Sequence, residues 1–245
     1  MEIGQLSIAG IDLWLFHAVN SFCGQSYLLD QIVIFFASNN FVKTIPFIVC
    51  VWILWLQPQS PRQRREIITA TVVAVILALA ITRGLANILP FRVRPYLAPD
   101  IGFQAPIIDY NARDVLRDSS SFPSDHATFF FAMTTGLWFI SRRLGALFGL
   151  FSLLIILQRI YLGFHFPSDI LAGALIGILC VMLVNRKTIR RYISAPILWV
   201  HAKAPTLYNA AFFVVLFEFG DLFDEVRQIL KGSIIVLRHY GISVT

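Results

Sequence analysis

Charge is scarce in this sequence. Aspartate, glutamate, lysine and arginine make up 14% of the 245 residues, against 57% hydrophobic residues and a mean hydropathy of +0.72, a balance that excludes a soluble globular domain. Cysteine is scarce too. Cys23, Cys50 and Cys180 share no metal-type spacing and two sit inside apolar runs, so they read as packing residues rather than as ligands or a disulfide framework. No internal repeat, low-complexity tract or second domain is visible. The opening MEIGQLSIAG lacks the basic start of a cleaved signal, so the first membrane segment is expected to stay in the protein.

What is abundant is apolar sequence in blocks. They run over residues 41–56, 67–89, 124–140, 144–163 and 168–184, each near the ~20 residues a helix needs to cross the hydrocarbon layer. A sixth crossing is expected around 12–38, although Asn20, Ser21, Gln25, Ser26 and Asp30 interrupt it and residues 10–20 read equally as an amphipathic surface helix. The segment TLYNAAFFVVLFEF, 206–219, is short and followed by acids, which favours an interfacial or re-entrant helix. The fold class expected is all-α, a single integral membrane domain of about six transmembrane helices over 1–245.

The cations set the expected orientation. Arg62, Arg64 and Arg65 lie in one inter-helix loop, Arg142 and Arg143 in a later one, and Arg186, Lys187, Arg190 and Arg191 follow the last block, which makes these loops cytoplasmic. The loop 91–123 and the short one near 164–167 then share the opposite face. In the former Arg92, Arg94, Arg113 and Arg117 are balanced by Asp100, Asp109, Asp114 and Asp118. The net charge of +6 is thus topogenic and gives no support to nucleic-acid binding.

On that second face a four-residue phrase occurs twice, in SFPSDHATFF and in FHFPSDI, each time beside a histidine and at the start of an apolar run. Pro with Ser or Asp before such a run is the grammar of a helix start, and capping alone accounts for Pro123, Pro167 and Ser168. Two helix N-termini converging on one face would also aim their unpaired N–H groups at a shared point, which suits an anion. Arg94 in PFRVRP and Arg159 in LQRIYLGFH sit at membrane boundaries. Either alone reads as a snorkelling side chain, but guanidinium forks also match phosphate oxygens in pairs. His165 and Asp169 are four apart, the spacing at which a carboxylate can hold one ring nitrogen and leave the other as nucleophile or base. His126, from the other helix start, would protonate a leaving oxygen. Two histidines, two arginines and an aspartate on one face are hard to explain as packing.

RPYLAP after an apolar helix, FPSDHA, and RIYLGFHFPSD resemble the three signature segments of the type 2 phosphatidic acid phosphatase (PAP2) superfamily, K-x6-R-P, P-S-G-H and S-R-x5-H-x3-D, in order and spacing. The similarity spans roughly 28–185 as a PAP2-like core, leaving 186–245 as a cytoplasmic-side tail. Asp125 at the third position of the second motif is similar to the branch containing bacterial undecaprenyl pyrophosphate phosphatases of the BcrC type. The resemblance implies a PAP2/haloperoxidase-like helical core, although the membrane spans set the chain apart from the soluble haloperoxidases. It implies a lipid phosphatase of the bacterial inner (plasma) membrane, with the site facing the extracytoplasmic side and a lipid phosphate as substrate. It further implies His165 as the nucleophile that becomes phosphohistidine, Asp169 as its orienter and His126 as the acid. Arg94, Arg159, Ser124 and the amide of Asp125 would hold phosphoryl oxygens, with no metal or cofactor required.

Two positions depart from the pattern. Gln158 stands for the serine before Arg159, and Asn87 stands where the family has its lysine, leaving a phosphate contact neutral. Arg83, one turn before Asn87 on the same helix face, is expected to supply the missing cation. Against this, its side chain leans away from the site end, which leaves Arg92 or Arg117 as alternatives. Asn87 also keeps open a catalytically weakened binding or transport protein, and phosphotransfer to another lipid remains a further alternative.

Overall fold

Gly173 and Gly177 decide how closely the central helices approach. The computed structural model describes residues 8–58, 61–108 and 117–220. In it a Cβ on Gly173 would stand under 3.0 Å from the Ser124 carbonyl oxygen, and one on Gly177 equally close to that of Thr128. The helix Pro167–Val184 therefore crosses the helix Asp125–Ile140 backbone against backbone, as small residues four apart allow in lipid.

Around this pair the described residues form nine α-helices and no strand. They are α1 (Ile8–Asn20), α2 (Tyr27–Ser38), α3 (Asn40–Leu56), α4 (Arg62–Ile88), α5 (Asp125–Ile140), α6 (Arg142–Tyr161), α7 (Pro167–Val184), α8 (Lys187–Lys203) and α9 (Pro205–Gly220). One core joins α3 to α9, with Phe47 and Trp55 of α3, Val75 and Leu79 of α4, Phe129 and Phe130 of α5, Ile155 of α6, Val181 of α7 and Phe212 of α9, and a second, smaller cluster of Cys23, Ala37, Tyr161, Leu162 and Phe164 holds α1 and α2 against the end of α6.

Helix length and composition among the described residues do not by themselves confirm the six crossings expected. Three helices, α4, α6 and α7, are long and apolar enough to span a membrane, and α2 with α3 makes a fourth as a pair bent by 56°. Asn39 sits at the bend, donating its N–H to the Phe35 carbonyl at 3.1 Å and accepting from Val42 N–H on its side chain at 3.2 Å. Lys43 donates to the Ala37 carbonyl at 2.6 Å, satisfying an orphan acceptor at the end of α2. The block 124–140 forms α5, only 16 residues long and enclosed by α4, α6 and α7.

The apolar stretch 12–38 does not form one crossing because its polar residues have other work. Asn20 donates to the carbonyls of Tyr161 at 2.9 Å and Gln104 at 3.0 Å. Buried Asp30 accepts from the Tyr161 hydroxyl at 2.6 Å and from Ile107 N–H at 2.8 Å. The chain breaks between α1 and α2 so that both can hold the loop 101–108 against the end of α6. The 206–219 segment forms α9, an apolar helix of 16 residues, too short to be counted among the spans, that runs antiparallel along α3. The Trp55 indole donates to Asn209 at 3.1 Å near one end, and the Thr44 hydroxyl to the Gly220 carbonyl at 3.4 Å at the other. Near the first end Tyr208 stacks on Trp55 at 5.3 Å and Phe212 meets it tilted at 5.0 Å.

The chain order of α4 to α7 sorts the rest. Arg62, Arg64, Arg65, Arg142, Arg143, Arg186 and Arg190 collect at one end, with Glu66 between Arg62 (3.2 Å) and Arg190 (3.9 Å). The end of α4, the start of α5, the end of α6 and the start of α7 gather at the other.

Candidate active site

The two helix starts at that second end form as the sequence grammar requires. Ser124 caps α5, its Oγ accepting from Ala127 N–H at 3.4 Å. Pro167 opens α7, and the Asp169 carboxylate reaches back to accept the Phe166 N–H at 2.8 Å. The Ser124 N–H donates to the Asp169 carbonyl at 3.0 Å, which sews the two starts together.

His165 hangs between them in the turn after α6, buried to 2% exposure. That turn is closed by Gly163 in the left-handed region (φ +71°), where any Cβ would also strike the Phe103 ring. The His165 Nδ1 lies 2.8 Å from the Ser121 carbonyl, while the Asp169 carboxylate stands off at 3.8 Å. A carbonyl can only accept, so Nδ1 carries the hydrogen and Nε2 is left with its lone pair. Burial holds this imidazole below the ordinary histidine range; Asp169 opposes the shift, and Arg94 and Arg159 add to it. The spacing of His165 and Asp169 is thus realised, but the nearest partner of the ring is a backbone carbonyl that sequence reasoning missed.

The arginines surround this histidine. Arg159, in the last turn of α6, is buried with its guanidinium over the Phe164 ring at 4.5 Å, and its carbonyl accepts the Phe164 N–H at 2.9 Å. Arg94 ties two loops together, donating to the carbonyls of Ser119 (3.2 Å), Ser120 (3.2 Å) and Phe164 (2.9 Å) and to the Ser119 hydroxyl (3.0 Å). A second group lies at the start of α5. The Asp125 carboxylate meets His126 Nδ1 at 3.0 Å, and Arg83 of α4 reaches within 3.9 Å of it. His126 is half-buried, and Arg159 lies within electrostatic reach of both histidines.

Asn87 is not drawn into this cluster: it stands exposed in the last turn of α4. Arg92, considered as a substitute for the missing lysine, turns elsewhere and pairs with Asp12 at 2.7 Å and with Asp169. Arg117 is exposed. Asp12 was not singled out by sequence reasoning, although Asp12, Phe16 and Asn20 recur every four residues and all three are buried, which is the pattern of a helix face turned inward.

Comparison with known proteins adds the family. The profile described as "PAP2 superfamily" matches residues 67–192, more than half of the chain. The chain belongs to the PAP2 superfamily. This PAP2 protein is 25% identical over 172 residues to undecaprenyl-diphosphatase BcrC of Bacillus subtilis (strain 168), covering 70% of this chain and 81% of that one. It is 27% identical over 176 residues to the putative undecaprenyl-diphosphatase YbjG of Escherichia coli (strain K12), covering 70% and 80%. Among solved structures, Aquifex aeolicus LpxE matches with a TM-score of 0.52 and 25% identity, over 75% of this chain and 98% of that one. With its apolar helices, this PAP2 protein is an integral membrane member of a lipid-phosphatase family.

Proposed function

We propose that the protein hydrolyses the terminal phosphoryl group of a membrane lipid, with undecaprenyl pyrophosphate as the first substrate to test. The observation that carries this reading is His165, a buried neutral imidazole whose Nδ1 is fixed on a carbonyl and whose neighbours are two buried arginines. In the reaction, Nε2 attacks phosphorus as the bond to the lipid-side oxygen breaks, and His126 gives that oxygen its proton. Water then attacks the phosphohistidine, surrendering a proton to His126 as the P–N bond breaks. Arg159, Arg94 and the amides at the start of α5, Asp125 among them, with Ser124, stabilise the charge spread over the phosphoryl oxygens. Arg83 adds positive charge through its approach to Asp125, on the side where Asn87 is neutral. Asp169 holds the nucleophile loop in place. Fixed guanidinium groups and helix-end amides supply this stabilisation, so no metal is needed for the step.

The cation-rich end faces the cytoplasm in this reading, which puts the site on the extracytoplasmic side of a bacterial inner membrane. In a background free of native cysteines, a cysteine at position 105 should react in intact cells with an impermeant thiol reagent and one at 63 should not. The converse would invert the orientation.

Asn87 favours one second reading, a binding protein with weakened catalysis. One experiment separates the two. The purified protein is given undecaprenyl pyrophosphate, phosphatidic acid and phosphatidylglycerol phosphate, with and without EDTA. Phosphate release that persists in EDTA is expected from undecaprenyl pyrophosphate, and binding without release from any of the three would leave the weakened reading in place.

A further inference from the structure

Asp12 places a carboxylate in the interior, at 6% exposure, in a helix that precedes the residues matched by the family profile. An ionisable group at such depth requires full compensation. Its Oδ1 accepts the Ser168 N–H at 2.8 Å, one of the orphan amides in the first turn of α7. Its Oδ2 accepts from the Ser168 hydroxyl at 2.6 Å and from Arg92 Nη2 at 2.7 Å. The same guanidinium donates through Nη1 to Ser168 Oγ at 2.7 Å and to Asp169 Oδ1, and it lies over the Phe166 ring at 4.3 Å. Phe166 is backed in turn by Phe16 of α1, at 5.9 Å.

The two oxygens of Asp169 are therefore held by groups other than His165: Oδ1 by Arg92 and Oδ2 by the Phe166 N–H. At 3.8 Å the histidine does not set the direction of this carboxylate. Arg92 does, and Asp12 sets the direction of Arg92. We propose that Asp12 and Arg92 form a positioning relay that fixes Asp169 and the first turn of α7 beside His165, making α1 a working part of the active site. This rests on His165 as the nucleophile. The relay also reaches the other helix start, because the Asp169 carbonyl accepts the Ser124 N–H at 3.0 Å. A shift of α7 thus moves the His165 turn and the start of α5 that carries His126. Arg92, shared between two carboxylates, is a holder of protein groups and not a stand-in for the missing lysine.

The test uses the purified full chain on undecaprenyl pyrophosphate, with Asp12→Asn, Arg92→Gln, the double variant and Arg92→Lys. Asp12→Asn keeps an acceptor for the Ser168 N–H while removing the negative charge that faces Arg92, so its fold should persist, and thermal melting of each variant checks this. Each single change should lower kcat about 100-fold, the scale of a ~1 Å misplacement, with KM little changed. The double variant should be no worse than the poorer single, because both changes cut the same chain of contacts. Arg92→Lys should recover part of the loss. Unchanged kcat, losses that multiply in the double variant, or a rise in KM alone would overturn the relay while wild-type turnover stands. Absence of turnover in the wild-type protein would instead overturn the phosphatase reading, and the relay's catalytic role with it.

Discussion

Residues 122–125 and 166–169 are the same four letters, Phe-Pro-Ser-Asp, yet they open their helices two positions out of step. At the first, Ser124 is the cap and the helix begins at Asp125; at the second, Phe166 takes the cap position and the helix begins at Pro167. The jobs of serine and aspartate are exchanged as a result. Ser124 folds onto its own helix start and Asp125 turns outward to His126 and Arg83. Asp169 folds back onto the Phe166 N–H, and Ser168 turns outward to Asp12 and Arg92. One acid is 30% exposed and the other wholly buried. Where a helix starts, and not which residues start it, selects the side chain left for other chemistry.

The largest test of this contrast is a pair of histidine variants. His165→Ala should lose turnover by several orders of magnitude, as removal of a nucleophile does, and His126→Ala by about 100-fold or more, the scale of a lost general acid. Phosphate release from the lipid substrate measures both. Near-normal turnover in His165→Ala would break the assignment of the nucleophile to the second stretch. The acids come next, read by thermal melting. Asp169→Asn leaves Arg92 with one carboxylate fewer in a buried network and should cost about 3 kcal/mol, whereas Asp125→Asn, partly exposed and 3.9 Å from Arg83, should cost under about 1 kcal/mol. The reverse order would erase the contrast.

A pH profile sharpens it further. Burial disfavours the imidazolium of His165, so the neutral nucleophile survives as pH falls through the ordinary histidine value of about 6.5, and the acid limb of kcat/KM should lie below it. An acid limb above that value would contradict the buried placement. The smallest effect is expected at the missing lysine. Arg83→Ala should lower kcat by no more than about tenfold, below the ~100-fold of a direct transition-state donor, and adding Asn87→Lys should restore most of it. Full activity in a folded Arg83→Ala protein would remove Arg83 from the site.

Local features were legible in the sequence and distant pairings were not. The apolar blocks, the two helix starts, and the gathering of His126, His165, Arg94 and Arg159 at one end all follow from periodicity and chain order. The Gly173 to Gly177 spacing is equally local. The Ser121 carbonyl beside His165 and the Asp12 to Arg92 pair lie 44 and 80 residues apart in sequence, and no residue-type rule joins them. Asp169 illustrates the limit: its spacing from His165 was visible, but its place in the first turn of α7 gave it an amide to cap. The run 12–38 misled for the opposite reason. Its polar residues look like interruptions of a span in the sequence, whereas Asn20 and Asp30 are anchors for a loop far along the chain.

Gly173 and Gly177 seat on the carbonyls of Ser124 and Thr128, two notches four residues apart on one helix against two acceptors four residues apart on the other. Each interval is about 6 Å along its helix axis. A single residue inserted between Asp169 and Gly173 would advance the notches by ~1.5 Å and turn them by about 100° around α7. The bundle would still have apolar helices of adequate length, but the glycines would no longer face α5 while Asp169 faced His165. Chain length in this stretch is therefore locked, and insertions or deletions among close relatives should fall in the turns at the cation-rich end, never between the second aspartate and the second glycine.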